Sequence, residues 1–119
     1  MIVRRTDFWN NTAGNNGGAL YMGTNADADI DTATFNDNNG ARGGAVNLSN
    51  NLGSNAMFAH VTFDNNAAND GAGVYVFGSS TAIQFFKCNF TNDTANITGG
   101  GIAAVGSGSI VLDSVNFFQ

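Results

Sequence analysis

Five phenylalanines, Phe8, Phe35, Phe63, Phe90 and Phe117, follow one another at intervals of 27, 28, 27 and 27 residues, and a period of that length ties the chain to a repeat architecture. Three places after each of the first four comes Asn11, Asn38, Asn66 or Asp93, and eight or nine places after comes a cluster of tiny residues: GGAL at Gly17, GGAV at Gly43, GAGV at Gly71 and GGGI at Gly99. Four copies of the paired motif therefore account for nearly all of the 119 residues. They divide into coils of approximately 1–27, 28–55, 56–82 and 83–109, with a partial fifth at 110–119, all in one domain.

Columns read back from each repeat Phe fix the type of repeat. The second residue before it is Thr6, Ala33, Val61, Cys88 or Val115, the fifth is Val3, Ile30, Phe58, Phe85 or Leu112, and the seventh is Met1, Ala28, Ala56, Ile83 or Ile110. Two-residue alternation of apolar and polar positions is the signature of strands, and the single three-residue step predicts a bend between two of them. Beyond the glycines the alternation resumes at Leu20, Val46, Val74 and Ile102, then at Met22, Leu48, Val76 and Ala104. Three short strands per repeat are predicted, with loops between Met22 and Ala28, Leu48 and Ala56, Val76 and Ile83, and Ala104 and Ile110.

Composition removes the competitors. Sixteen Gly, nineteen Asn, one Lys and no Glu leave few good helix formers, which argues against a helical repeat. Propeller blades run to about 40 residues or more. The remaining architecture is all-β: a parallel β-helix, or β-solenoid, of about four coils whose strands stack about 4.8 Å apart. Phe8, Phe35, Phe63, Phe90 and Phe117 then form an interior ladder, each ring contributing on the order of 1.5–3 kcal/mol by burial. The column Asn11, Asn38, Asn66 and Asp93 is expected at a corner, since Asn tolerates left-handed backbone and its amide both donates and accepts along the stack. An ionised Asp93 can only accept.

FWNN, FNDN, FDNN and FTND, paired in fixed phase with GGAL, GGAV, GAGV and GGGI, resemble the FxxN and GGA[ILV] repeats of the chlamydial polymorphic outer-membrane proteins and related right-handed β-helix proteins. The resemblance covers essentially the whole chain. It implies a right-handed parallel β-helix and an extended passenger domain exposed outside the cell or on its surface, with a structural or adhesive role. The chain departs from the pattern in the third and fourth tiny-residue motifs and in carrying Asp93 in place of Asn.

The charge pattern narrows the partners. A net charge of -5, with Arg4, Arg5, Arg42 and Lys87 as the cations, is a poor footprint for phosphates, so no nucleic acid is expected. No apolar run approaches the roughly 18 residues of a membrane span, and MIVRRTDFWNN has no signal-peptide core; no membrane insertion is expected. Cys88, the single cysteine, sits in an interior column and reads as a small hydrophobe. His60 and Lys87 share a column with Thr32 and Ser114 and read as solvated side chains rather than a general-base pair. Asn25, Asp27, Asp29 and Asp31 place oxygens in alternation that could hold calcium, yet the EF-hand glycine and glutamate are missing, and the Asp29 column continues as Met57, Gln84 and Val111. The expectation is a solvated strand face, with no metal and no cofactor. Arg4 with Asp31, and Arg42 with Asp70, are predicted cross-strand charge pairs. Five Asn-x-Ser/Thr sequons begin at Asn10, Asn47, Asn89, Asn92 and Asn96.

The two ends share a pattern of their own. Trp9 and Phe118 stand in a column otherwise held by Asn36, Asp64 and Thr91, and Ile2 and Val111 share a second outward column. Ile2, Arg4, Trp9, Val111, Asp113 and Phe118 are therefore the predicted end interface. The expected function is a structural module, not an enzyme, whose copies join end to end into a rod or fibre, with Arg4 facing the Asp113 column. An adhesin segment binding a host receptor or glycan through Tyr21 and Tyr75, both expected to be exposed, is the alternative. A polysaccharide lyase or hydrolase stands third, because such sites need paired carboxylates beside Arg or Lys, whereas here Glu is absent and the four cations are scattered over three columns.

Overall fold

The computed structural model describes residues 1–49, 52–78, 80–106 and 108–119, and of residues 52–54, 80 and 81 the backbone. The strands are β1 (Ile2–Trp9), β2 (Leu20–Met22), β3 (Ala28–Asn36), β4 (Val46–Ser49), β5 (Leu52–Ala59), β6 (Thr62–Asp64), β7 (Ala67–Asp70), β8 (Val74–Phe77), β9 (Ser80–Phe86), β10 (Asn89–Thr91), β11 (Thr94–Thr98), β12 (Ile102–Val105), β13 (Ser109–Asp113) and β14 (Asn116–Phe118). All pairing between them is parallel, and each strand meets its counterpart one repeat away: Phe8 lies beside Phe35, Phe35 beside Phe63, Phe63 beside Phe90 and Phe90 beside Phe117. The chain is a β-solenoid of about four coils, as its periodicity predicts. Its wall consists of an eight-stranded sheet containing β1, β3, β5, β6, β9, β10, β13 and β14, a four-stranded sheet β12-β8-β4-β2, and the pair β11-β7.

The repeat Phe rings form the expected column. Successive ring centroids from Phe8 to Phe117 lie 4.5, 5.2, 4.5 and 4.9 Å apart, with interplanar angles of 13° or less. These separations exceed the roughly 3.5 Å contact distance between carbons, so each ring is slid across the next, the offset stack that the ring quadrupole favours. Phe58 and Phe85 stack at 5.0 Å as a second, shorter column. Phe85 meets Phe63 and Phe90 edge to face. Phe35, Phe58, Phe63, Phe85 and Phe90 are at most 1% exposed.

Every coil turns on three left-handed columns. The three-residue step in the apolar pattern is Arg5, Thr32, His60, Lys87 and Ser114, with φ between 49° and 57°; this is the predicted bend. The second column is Asn10, Asp37, Asn65 and Asn92, φ 53–56°, one residue earlier than expected. The side chain must point inward at the third place after the Phe, so the left-handed residue is its outward neighbour. The third is Gly17, Gly43, Gly71 and Gly99. A Cβ on Gly43 would stand 2.1 Å from the Val46 carbonyl oxygen, and one on Gly101 would stand 2.7 Å from the Phe117 ring. The tiny-residue cluster thus serves both the corner and the seat of the aromatic column.

Two expectations are corrected. The third and fourth coils carry four strands rather than three, because β7 and β11 pair at Ala67–Thr94 and Ala68–Ala95, whereas the second carries β3, which runs through the bend, and β4. The predicted loops after Leu48 and Val76 are partly strand, with Leu52 paired to Ser80 across a register shift; residues 50, 51, 79 and 107 of the predicted loops lie outside the described residues.

Phe63 stacks on both sides and is fully buried, whereas Phe117 ends the column and is 51% exposed. Phe63→Ala is expected to cost about 3–5 kcal/mol and Phe117→Ala under about 1.5 kcal/mol, measured by urea unfolding. Equal costs would contradict the ladder's role as the core.

Candidate functional site: the open ends and the last rung

Each end of the solenoid exposes a strand edge. Among the described residues, β1 pairs only with β3, β13 only with β9 and β14 only with β10. Ile2 and Trp9 on β1 are 74% and 68% exposed, and Val111, Leu112, Phe117 and Phe118 on the opposite end are 50–57% exposed. The predicted columns are real: Ile2 stands over Asp29, and the column runs on through Met57 and Gln84 to Val111. Trp9 stands over Asn36 in the column that ends at Phe118. The Trp9 indole is held by its N–H, which donates to Asp37 Oδ2 at 3.1 Å.

Arg4 shares its column with Asp31 as expected, but its main partner is Asp29. Nη2 of Arg4 lies 2.5 Å from Asp29 Oδ2, and Nη1 donates to the Asp29 and Val3 carbonyls, while Nε stands 4.0 Å from Asp31. The bond to Asp29 raises the Arg4 pKa. His60 Nδ1 lies 3.0 Å from Asp31 Oδ1, and this bond leads the causes that hold the Asp31 carboxyl below its usual range. Asp27 Oδ1 accepts the Asn55 backbone N–H at 2.8 Å. The three acidic residues of the sequence cluster are thus turned to separate protein partners, and among the described residues no three His, Cys, Asp or Glu side chains converge on a metal position.

Other sequence readings are sorted by the same geometry. His60 turns to Asp31, and the Lys87 ammonium lies over the Phe86 ring at 4.9 Å. Cys88 is fully buried, and burial raises its thiol pKa. Arg42 and Asp70 are backbone neighbours as predicted, yet the Arg42 guanidinium lies 5.9 Å over the Tyr75 ring, and Asp70 Oδ1 accepts the Thr98 hydroxyl at 2.6 Å. Tyr75 is therefore not the exposed residue expected: it is 7% exposed, while Tyr21 is 52% exposed. Both stand in one column of the same sheet, but Tyr75 has the Arg42 guanidinium over its ring, a long-range contact that strand alternation cannot reveal.

The column Asn11, Asn38, Asn66 and Asp93 forms a continuous hydrogen-bonded ladder. Asn38 Oδ1 accepts the backbone N–H and the amide N–H of Asn11 at 3.0 and 2.9 Å. Asn66 Oδ1 accepts both from Asn38 at 3.0 Å, and Asp93 Oδ1 accepts both from Asn66 at 2.9 and 2.8 Å. The second amide hydrogens of Asn38 and Asn66 reach back to the Phe8 and Phe35 carbonyls at 3.0 Å. Asp93 has no amide hydrogen to give. Its Oδ2 is buried with no partner among the described residues, and desolvation, ahead of the opposing bonds from Asn66, pushes its pKa up to about 7. A hollow of about 400 Å³ opens beside it, its lining including Phe90, Gly100, Gly101, Phe117, Phe118 and Gln119.

Comparison with family models, curated proteins and solved structures returned no match.

Because the folded state holds the Asp93 proton to about pH 7 while the free carboxyl releases it near 3.8, stability should fall as pH rises between those values, then level off. Asp93→Asn supplies the missing donor. It is expected to stabilise the fold by on the order of 2–4 kcal/mol at about pH 8 and by little near pH 4, in urea melts of both proteins across that range. A constant difference at all pH values would contradict the buried-carboxyl account.

Proposed function

We propose that this chain is a structural β-solenoid module whose copies stack head to tail, β1 of one against β13 and β14 of the next, to build a rod or fibre. The single observation that carries the reading is the pair of unpaired strand edges at opposite ends, each bearing large exposed apolar side chains in matching columns. Unpaired edges recruit further strands unless they are blocked by charge, proline or a covering segment. In the register of the repeat, Ile2 meets Val111, Phe8 meets Phe117 and Trp9 meets Phe118, so the aromatic column continues across the joint. Asp113 falls in the Arg4 column, and the joint places Arg4 between it and Asp29 of its own chain. The contact is head to tail and repeats along one axis, so it does not close on itself and produces an open filament.

The shape favours this reading. The molecule measures 30 × 27 × 21 Å, and a stack of about four coils accounts for roughly 20 Å, so the end faces are a large share of its surface. An extracellular or cell-surface place goes with the resemblance of the repeats to those of outer-membrane passenger domains. A second reading, glycan binding by an adhesin segment, has one specific support: a side groove of about 420 Å³ whose lining includes Thr12, Asn39, Asn69, Thr94 and Asn96, amides and hydroxyls suited to sugar hydroxyls. Of the two tyrosines, Tyr21 alone is exposed to serve it.

Sedimentation velocity over a concentration series should show growing oligomers for the unaltered chain. Val111→Lys with Phe118→Lys should leave monomers, and Thr62→Lys, in the middle of the wall, should assemble normally. A chain that stays monomeric at every concentration reached, or a double variant that assembles as well as its parent, would overturn the proposal.

A further inference from the structure

Folding sorts the five Asn-x-Ser/Thr sequons into two kinds. Asn47, Asn89 and Asn96 lie within β4, β10 and β11. The Asn47 side chain is fully buried, with Nδ2 donating to the Arg42 carbonyl at 3.0 Å and Oδ1 accepting the Ser49 hydroxyl of its own sequon. Asn89 to Thr91 is the whole of β10, held between β6 and β14, and Asn89 Oδ1 accepts the Asn116 amide at 3.0 Å. In the third, Asn96 Nδ2 donates to Asn69 Oδ1 at 3.1 Å and the Thr98 hydroxyl to Asp70 Oδ1 at 2.6 Å. Asn10 and Asn92 are different. Both are exposed, and both occupy the left-handed corner column, φ 54° and 53°, just after β1 and β10. Thr12 and Thr94 are exposed as well, and the Thr94 hydroxyl turns back to the Asn92 carbonyl at 3.5 Å. A sequon open to modification presents its Asn and its hydroxyl on a surface turn, and these two do.

The side groove of about 420 Å³ begins where these two sequons end. Thr12 lines it in the first coil and Thr94 in the fourth, with the amides of Asn39, Asn69 and Asn96 beside them over a floor of alanine and glycine. Asn10 and Asn92 stand three coils apart, roughly 14 Å along the axis, and the corner positions between them, Asp37 and Asn65, begin no sequon. Two sugars on this column therefore have room, which adjacent coils about 4.8 Å apart would deny them. The groove crosses the coils on the side wall, so it does not depend on how copies meet end to end.

We propose that Asn10 and Asn92 are attachment sites for N-linked sugar, that Asn47, Asn89 and Asn96 are not, and that the attached sugars lie in the groove against Asn39 and Asn69. Transfer takes a sugar carried on a diphosphate and a transferase that recognises the sequon. The bond from the sugar's anomeric carbon to the diphosphate oxygen breaks, its electron pair leaving with the diphosphate; the same carbon bonds to the asparagine Nδ2, which gives up one of its two protons. Sugar hydroxyls donate and accept, as do the amides along the groove. The groove's described lining holds no aromatic ring, so amide and hydroxyl contacts alone must hold a sugar there. A covalent tether makes such weak contacts sufficient by keeping the sugar at high local concentration.

The test uses the full chain made without sugar in bacterial cytoplasm, its fold checked by circular dichroism, and incubated with a soluble N-glucosyltransferase and UDP-glucose. Peptide mapping by mass spectrometry is expected to find glucose on Asn10 and Asn92 and none on Asn47, Asn89 or Asn96, while synthetic peptides spanning those three sequons accept it. Thr94→Ala should lose the sugar on Asn92 and keep it on Asn10. In nuclear magnetic resonance spectra the side-chain amide signals of Asn39 and Asn69 should shift on modification, and that of Asn55, in β5 on another wall, should stay in place. A folded chain left unmodified at Asn10 or Asn92, glucose on the folded chain at any of the other three, peptides that fail as the folded chain does, or unmoved Asn39 and Asn69 signals would each overturn the proposal. Free glucose at the chain's own concentration should move neither signal in the unmodified chain; if it does, the groove is a receptor for free sugar and the tethered assignment fails.

Discussion

Direct stacking at one repeat per coil is the constraint from which the rest follows. Whatever residue occupies a column must tolerate a near copy of itself about 4.8 Å above and below. Phenylalanine does so by offset stacking, and the primary amide does so because it carries a donor and an acceptor on one planar group. Carboxylates do not. Two like charges at that separation repel by roughly 1 kcal/mol in water and several times that in a less polar setting. The nine Asp residues obey this rule: in the repeat register each has a column to itself, except Asp31 and Asp113, which stand three coils apart with Ala59 and Phe86 between them. An Asn-rich chain without Glu is what this geometry selects.

The same constraint explains why the strained corners survive. Left-handed backbone costs a non-glycine residue about 1–2 kcal/mol, and Thr32, His60 and Lys87 occupy it with side chains of quite different size. What they share is position. Each sits at the step where the chain must turn while the residues on both sides keep facing the core, Ile30 and Ala33 in the second coil, Phe58 and Val61 in the third. Their N–H groups also stay in the ladder, His60 donating to the Phe86 carbonyl and Lys87 to that of Asp113. Burial of the flanking apolar pairs offsets the local cost, and the side chain that points outward is free to vary.

This division between inner and outer positions sets how far the sequence can be read. The Phe column, the inward strands, the bend at the three-residue step and the glycine corner are all legible, because each depends on a residue type repeating in phase. The amide ladder is legible as a column, although its left-handed corner falls one residue earlier, at Asn10, Asp37, Asn65 and Asn92; in a chain where Asn precedes or follows Asn so often, residue type alone does not choose between them. Pairing on the outer wall is much less legible. Arg4 reaches Asp29 in preference to Asp31, Arg42 turns to Tyr75 in preference to Asp70, and Tyr75 is buried where Tyr21 is exposed. Long side chains on a wall choose among several neighbours within reach, and a column register names only one of them.

Asp93 is where the stacking rule meets its exception, and the exception is informative because it is so local. The residue satisfies its neighbour below as well as an amide would, since Oδ1 accepts both hydrogens from Asn66. It fails only toward the carbonyl behind it and toward whatever lies above. In the middle of the column the same substitution would be unsatisfied toward the next rung as well, with a third acceptor pressed against it. At the last complete rung the upper side faces a hollow, so the misfit is confined to one oxygen and one proton.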